Sequence, residues 1–203
     1  MFNLENPYAP LQWARDPYIS RHRAVLNVAW DMPFGRGRRY LTSVPRAADH
    51  VIGGWQLYWI ATMETGQFFS PSYSGSDPSH TNTSGGLPDR IGNGSLPTGQ
   101  RSVNHWFDPS AFAVPAPGHF GNSGANILTG PGSQLNNLSL VKRFAIKERI
   151  HLVYVAAIMN VFNHPNFAPP SANISAPGSV GVVNSVVDFS GSRQMEMRLR
   201  LIF

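Results

Sequence analysis

The sequence predicts an all-β fold from three observations: segments that alternate apolar and polar residues, many turn formers, and few charges. The chain of 203 residues contains 19 glycines and 17 prolines, and 13% of its residues are charged. This composition is typical of strands joined by turns rather than of helical bundles. The length suffices for one domain with its own core or for part of a larger protein.

The clearest alternation lies in the last segment, predicted as a strand over residues 193–203. Neighbouring residues of a strand point to opposite faces, so one face is apolar and the other charged. The apolar face carries Met195, Met197, Leu199, Leu201 and Phe203, and the charged face carries Glu196, Arg198 and Arg200. A strand of roughly 9–11 residues with this pattern suits a membrane barrel, with lipid outside and a polar lumen inside. It equally suits an amphipathic strand of a soluble sandwich.

Four further segments are predicted as strands, at about residues 21–34, 53–69, 136–146 and 149–162. The second places Trp55, Leu57 and Trp59 on its apolar face, and Gln56 and Glu64 on the other. Tryptophan near a strand end fits the aromatic girdle of a bilayer interface, and it also fits a sandwich core. In the barrel interpretation, the apolar residues of both strands face lipid. Their lumen-facing residues are Gln56, Glu64, Glu196, Arg198 and Arg200.

The connections between these strands differ in length. The turn at residues 147–148 is tight, whereas the flanking loops, Ser70–Leu135 and Asn163–Ser192, are long. Barrels of the outer membrane have short periplasmic turns and long external loops, so both long loops are expected outside. The Gly35–Ile52 link then lies on the periplasmic side and is longer than this rule predicts. A loop as long as Ser70–Leu135 argues against one compact soluble domain.

Five strands are too few for a closed membrane barrel, since the smallest bacterial barrels have eight. An open edge in lipid would leave backbone groups unpaired at several kcal/mol each. We therefore interpret residues 1–203 as the C-terminal part of a larger barrel, with signal peptide and plug domain absent. No apolar run approaches the roughly 18 residues of a membrane helix.

A series of motifs adds to this interpretation. In chain order these are His22-Arg-Ala-Val-Leu26, Met32-Pro-Phe-Gly-Arg-Gly-Arg-Arg-Tyr-Leu41, Gly53-Gly-Trp-Gln-Leu57, Thr65-Gly-Gln-Phe68, Leu87-Pro-Asp-Arg90, Trp106-Phe-Asp-Pro-Ser-Ala-Phe112, Phe120-Gly-Asn-Ser-Gly124, Gly130-Pro-Gly132, Leu138-Ser-Leu140 and Asn160-Val-Phe-Asn-His-Pro-Asn-Phe167. The series resembles the C-terminal part of TonB-dependent outer-membrane receptors with an Oar-like barrel, a type common in Acidobacteria. The resemblance extends over nearly the whole chain from about His22.

The resemblance implies the last five strands of a 22-stranded barrel that takes up a bulky nutrient across the outer membrane of a Gram-negative bacterium. Its expected partners are outer-membrane lipid, the remaining barrel and plug, and TonB indirectly through the missing N-terminal part. By the same resemblance, Phe203 looks like the terminal signature read by the barrel assembly machinery.

The fourth predicted strand departs from the pattern of the family. Its inward positions hold Val153, Val155 and Ala157, where the family usually has polar residues. Either this strand faces a dry contact such as a plug or loop, or its register has shifted.

No catalytic constellation is visible, so no enzymatic activity and no cofactor are expected. The seven histidines lack metal-binding spacing, and no nucleophile elbow or phosphate-binding loop occurs. Asp77, Asp89 and Asp108 lie in loops where Asx turns explain them without calcium. The basic residues are dispersed, which argues against a nucleic-acid partner. An extracellular hydrolase therefore has no support.

Two loop motifs remain. Asn163-His-Pro-Asn166 is expected to build a tight turn rather than to contact a ligand. Trp106, Phe107 and Phe112 are interpreted as exposed-loop aromatics that anchor a long loop or, less readily, stack on a sugar ring. The alternative function is a soluble β-sandwich module that binds carbohydrate, in which a second sheet would bury Trp55, Trp59, Leu199 and Leu201.

Overall fold

The computed structural model describes residues 13–147, 149–187 and 192–203. Its elements are β1 (Arg23–Asp31), α1 (Arg46–Ile52), β2 (Trp55–Glu64), β3 (Phe68–Phe69), β4 (Asp89–Arg90), two short 3-10 turns (Thr98–Gln100 and Pro109–Ala111), β5 (Phe112–Ala113), β6 (Leu128–Thr129), β7 (Ser133–Lys147), β8 (Ile150–Met159) and β9 (Gln194–Ile202). The predicted all-β class is confirmed apart from one seven-residue helix. No helix in the described part of the chain could span a bilayer.

The chain divides into two compact units. The sheet unit comprises residues 23–63 and 134–166 and the last strand, and the loop unit comprises residues 13–22, 64–133 and 167–187. The division separates the alternating segments from the segments rich in glycine, proline and asparagine. Each unit is therefore built from one kind of sequence.

The sheet unit contains one five-stranded sheet with the order β1-β2-β7-β8-β9. Strand β8 pairs antiparallel with both β7 and β9. Its register with β9 is continuous, whereas its register with β7 shifts between Ala145 and Lys147, close to the tight turn. Lys147 pairs with Ile150, and Glu148 lies outside the described residues. Among the described strands, β1 and β9 each have a neighbour on one side alone, so the sheet is open at both edges.

The five long strands overlap the five predicted segments, and their bounds differ from the predicted ones by one to five residues. Strand β7 begins at Ser133, three residues before the predicted start, because it extends directly from the Gly130-Pro-Gly132 turn. Strand β2 ends at Glu64 rather than at Phe69. Phe68 and Phe69 instead form β3, which pairs with β6 in the loop unit.

The loop unit is folded around a small apolar core, although its sequence reads as a run of turn formers. Phe69, Phe107, Ala111, Phe112 and Leu128 form this core. Phe107 stacks edge-on against both Phe69 and Phe112, with ring centroids 5.7 and 6.1 Å away. The two predicted long loops meet here, since the Ser72 N–H donates to the Ala172 carbonyl at 2.9 Å. The extended loop expected at residues 70–135 is thus a packed unit that also includes residues 167–187.

Gly66 supports this packing through a close approach of two backbones. A Cβ at this position would collide with the carbonyl oxygen of Gly130, and the Gly130 N–H donates to the Gln67 carbonyl at 2.8 Å. Backbone atoms cannot turn away as a side chain can. Gly66→Ala should therefore lower the free energy of unfolding by about 3 kcal/mol, the upper end of the range that is typical of overpacking. Urea unfolding measures the loss.

Gly99→Ala is the matched control for this prediction. Gly99 has no heavy atom within 4 Å of an added Cβ, so its replacement should change stability by no more than about 0.5 kcal/mol. Equal midpoints for the two variants would contradict the close contact at Gly66.

Candidate functional site

The five-stranded sheet has two chemically different faces, and the register assigns residues to them. Directly paired residues lie on the same face, and β8 and β9 pair Tyr154 with Leu199 and Ala156 with Met197. Trp55 of β2 joins this face, because its ring meets that of Tyr154 edge-on at 6.1 Å. The register therefore brings together one apolar face, which includes the predicted set of Trp55, Leu57, Trp59, Met195, Met197, Leu199 and Leu201.

This apolar face is uncovered at β9. Met195, Met197, Leu199 and Leu201 are 54–72% exposed, and the described residues place no second sheet over them. A sandwich would bury these side chains against a partner sheet. Their exposure argues against the alternative prediction of a soluble β-sandwich. Phe203, which follows β9, is also exposed.

The opposite face carries the charges of β9. Val153, Val155 and Ala157 pair with Arg200, Arg198 and Glu196, respectively. Strand β8 has therefore not shifted in register, and its apolar residues do lie on the polar face. Of the two explanations given for this departure, the shifted register is wrong, because a shift by one residue would place these three side chains on the other face.

Further polar contacts lie on this face and at its ends. The guanidinium Nε of Arg198 pairs with the Glu196 carboxylate at 3.0 Å. Gln56 donates from Nε2 to the Asp31 carboxylate at 2.7 Å, and the Glu64 carboxylate accepts from the Ser20 hydroxyl at 3.1 Å. Four of the five predicted lumen-facing residues, Gln56, Glu64, Glu196 and Arg198, are thus engaged in polar interactions with neighbours. Which face meets water and which meets lipid stays a prediction.

Lys142 is a buried residue that the sequence did not single out. It pairs with Tyr154 and therefore lies on the apolar face, where it is 2% exposed. Its ammonium group donates to the carbonyls of Val51 and Gly53 at 2.9 and 2.6 Å. It also lies 5.2 Å from the centre of the Trp55 ring, within cation–π range. One feature of the sequence could have pointed to Lys142. It is a lysine in the middle of an otherwise apolar series on one face of the strand, Leu138, Leu140, Phe144 and Ile146.

Lys142→Met should detach the β1–β2 link from the sheet. Methionine retains an apolar stem of similar length but donates no hydrogen bond, so the Gly53 carbonyl loses the Lys142 donor and the Val51 carbonyl keeps the Trp55 indole N–H at 2.9 Å. The free energy of unfolding should fall by about 1–3 kcal/mol, the cost of unsatisfied buried polar groups. Hydrogen exchange should rise at the amide of Gly53, which bonds to the Asp49 carbonyl at 2.8 Å. The control is Lys147→Met at an exposed lysine of the same strand. Equal exchange in both variants would contradict the anchoring role.

The aromatic residues predicted in an exposed loop are buried. Phe107 and Phe112 are 1% and 5% exposed and belong to the core of the loop unit. Trp106 is half-buried, and its indole Nε1 donates to the Thr129 carbonyl at 2.9 Å. The interpretation of Phe107 and Phe112 as exposed is wrong, because the chain folds back and buries both rings. Neither ring offers a face on which a sugar could stack, whereas anchoring of the loop fits their contacts.

The polar loop residues form turns. The Asn160 side chain accepts from the His164 N–H at 3.0 Å and donates to the His164 carbonyl at 2.8 Å, which closes the turn before Pro165. Asp108 accepts from the Ser110 N–H at 3.0 Å, as an Asx turn requires. Asp89 differs, since it accepts at 3.3 Å from the distant Asn122 N–H.

Asp77 caps a tight turn in the loop unit. It accepts from the Ser79 hydroxyl at 2.9 Å and from the Asn82 N–H at 2.7 Å. Desolvation raises the pKa of Asp77, but these hydrogen bonds outweigh it and leave the pKa below its ordinary value. Within the described ranges, no group of three or more histidine or acidic residues is placed to hold a metal ion.

Comparison with known proteins agrees with the sheet geometry. A family model described as an outer membrane beta barrel domain matches residues 1–196. No curated protein and no solved structure matches the chain. The match extends over both units, contains β1, β2, β7 and β8 in full, and ends within β9.

Proposed function

Because this chain belongs to the outer membrane beta barrel domain family, we propose that its sheet forms part of the wall of a TonB-dependent receptor. The family suggests a location in the outer membrane. The supporting observation is the sheet itself, which has an uncovered apolar face, a polar opposite face and two open edges. Such edges leave backbone N–H and C=O groups without partners, and lipid offers none. Further strands of the same receptor would pair with β1 and β9 and close the barrel.

In this proposal the role of the chain is transport rather than catalysis. The barrel surrounds a plug, TonB acts on the receptor through parts other than this chain, and the barrel assembly machinery inserts it. In outer-membrane barrels the long connections are external, and the loop unit contains both long connections of this chain. A packed core gives these connections a defined surface with which to read or gate a bulky nutrient. Phe107 and Phe112 would support that surface from within.

Single-cysteine labelling tests which face meets lipid. These 203 residues contain no cysteine, so Leu199→Cys and Arg198→Cys each introduce a thiol that is unique within them. The cells would be treated with a water-soluble maleimide and, separately, with a lipid-soluble one. In a water-filled barrel, the thiol at position 198 should react with the first reagent and the thiol at position 199 with the second. The same reagent preference at both positions would rule out the wall assignment.

A gene deletion tests the transport step. The producing bacterium would be grown on single oligosaccharides and peptides too large for general porins, with and without this gene and with and without a functional TonB. Loss of growth on the same nutrient in both deletions supports TonB-dependent uptake. A growth defect that needs this gene but not TonB would leave an outer-membrane barrel with another role.

A further inference from the structure

The β1–β2 link forms one wall of a cationic pocket of about 290 Å³ in the sheet unit. The lining residues include four basic residues, Arg36, Arg38, Lys142 and Arg143, and one acidic residue, Asp49. Arg143 pairs with Val153, the partner of Arg200, so its side chain projects from the face of β7 opposite to Lys142. His50 also lines the pocket. Without Arg143, basic side chains exceed acidic ones by two among the described lining residues. A concave site with this balance attracts an anion.

The pocket is held in shape by contacts that do not use its arginine side chains. The Arg36 N–H donates to the Asp49 carboxylate at 2.6 Å, and Lys142 donates to the carbonyls of Val51, near the end of α1, and of Gly53, just after it. Gly35 has a φ of +112°, and a Cβ there would lie 2.6 Å from the same carboxylate oxygen. Asp49 therefore has a structural partner, and the link packs closely around it.

Two guanidinium groups at the pocket remain available. The side chains of Arg36 and Arg38 are exposed and make no hydrogen bond or ion pair with other described residues. A guanidinium group presents several donors in one plane, and this arrangement matches the oxygens of a phosphate group. The chemistry of the pocket thus favours a phosphate over a small halide ion.

The surroundings of the pocket point to a lipid as the source of that phosphate. Tyr40, Leu41 and Val51 of the link are 48%, 50% and 70% exposed. The Arg39 guanidinium lies 5.5 Å from the centre of the Tyr40 ring. Aromatic, apolar and arginine side chains occur together where a protein meets both acyl chains and headgroups. The Tyr40 ring lies 5.9 Å from that of Phe34, which lines the pocket, and Val51 follows the lining residue His50 in the chain. A free anion in water would need no such apolar neighbours.

We propose that this pocket binds the phosphate group of an anionic phospholipid. The proposal rests on the proposed function, because the barrel topology places the link at the periplasmic end, where the inner leaflet supplies phospholipid headgroups. Arg36 and Arg38 contact the phosphate, and Leu41 and Val51 lie against the acyl chains. The link is longer than a periplasmic turn is expected to be, and in this proposal the additional residues provide the lipid-binding site.

Lipid titration of the protein purified from outer membranes in detergent tests the proposal. The probes are dioctanoylphosphatidylglycerol, dioctanoylphosphatidylcholine and inorganic phosphate, with binding followed by calorimetry. The wild-type protein should bind the phosphatidylglycerol most tightly. Arg36→Gln/Arg38→Gln should weaken that binding about thirtyfold, from the loss of two basic contacts near a membrane surface. The control, Arg21→Gln/Arg193→Gln, removes the same charge at exposed arginines outside the pocket and should bind as the wild type does.

Each other outcome overturns a defined part of this proposal. Equal binding of the two lipids, or equal binding by both double variants, removes the headgroup site. Inorganic phosphate that binds as tightly as phosphatidylglycerol indicates a free-anion site instead. Barrel integrity is measured separately by heat-dependent mobility in gels. An intact barrel without lipid preference refutes the pocket alone, whereas absence of the protein from the outer membrane refutes the proposed function as well.

Discussion

Phe107→Ala is expected to unfold the loop unit, with a loss of about 3–5 kcal/mol in the free energy of unfolding. Phe107 is 1% exposed and contacts the rings of Phe69 and Phe112, so alanine would leave a cavity at the centre of this core. The unit is small and rich in turns, and its few other core residues cannot close such a gap. Trypsin should then cleave rapidly after Arg90 and Arg101 in the loop unit.

Ile91→Ala is the matched control for the loop-unit prediction. Ile91 is a large apolar residue of the same unit but is 70% exposed, so its loss should change protection by little. The readout is the rate of tryptic cleavage in intact cells and after purification. Unchanged protection in the Phe107 variant would mean that the core does not hold the loops together.

Leu199→Arg is expected to lower the stability of the inserted barrel by about 2–4 kcal/mol if the residue lies near the membrane midplane. Leu199 is on the apolar face and 69% exposed, so the guanidinium would enter lipid rather than a protein contact. Urea unfolding in phospholipid vesicles, followed by tryptophan fluorescence, measures the change. The variant should also reach the outer membrane in smaller amounts.

Ala157→Arg places the same charge on the opposite face and serves as the control. Ala157 pairs with Glu196, so the new guanidinium would meet a carboxylate and polar surroundings. We expect a smaller loss for this variant than for Leu199→Arg. A larger loss at position 157 would mean that the two faces have been assigned in reverse.

The sheet could be predicted from the sequence because alternation is a local property. Residues 194–201 alternate without a break, and a period of two identifies both the strand and its faces. The same pattern in the other four segments was sufficient to place strands β1, β2, β7 and β8. The bounds differed where turn geometry or new pairing intervened, as at Ser133 and at Phe68–Phe69.

The loop unit could not be predicted in this way. Its core residues are far apart in the chain and follow no period, so nothing local distinguishes the buried Phe107 from an exposed aromatic residue. Lys142 was missed for a related reason. Its partners, the carbonyls of Val51 and Gly53, lie about 90 residues earlier, at separations of 91 and 89.

The sequence by itself determined that this chain forms long amphipathic strands with one apolar and one polar face, because side-chain direction in a strand follows from neighbouring residues. Only the tertiary structure decided that β8 keeps its register beside β9, that the two long loops share a core, and that Lys142 anchors the link. These features depend on contacts between distant segments. Such contacts form when the chain folds back, and the residues involved carry no periodic signal of their partners.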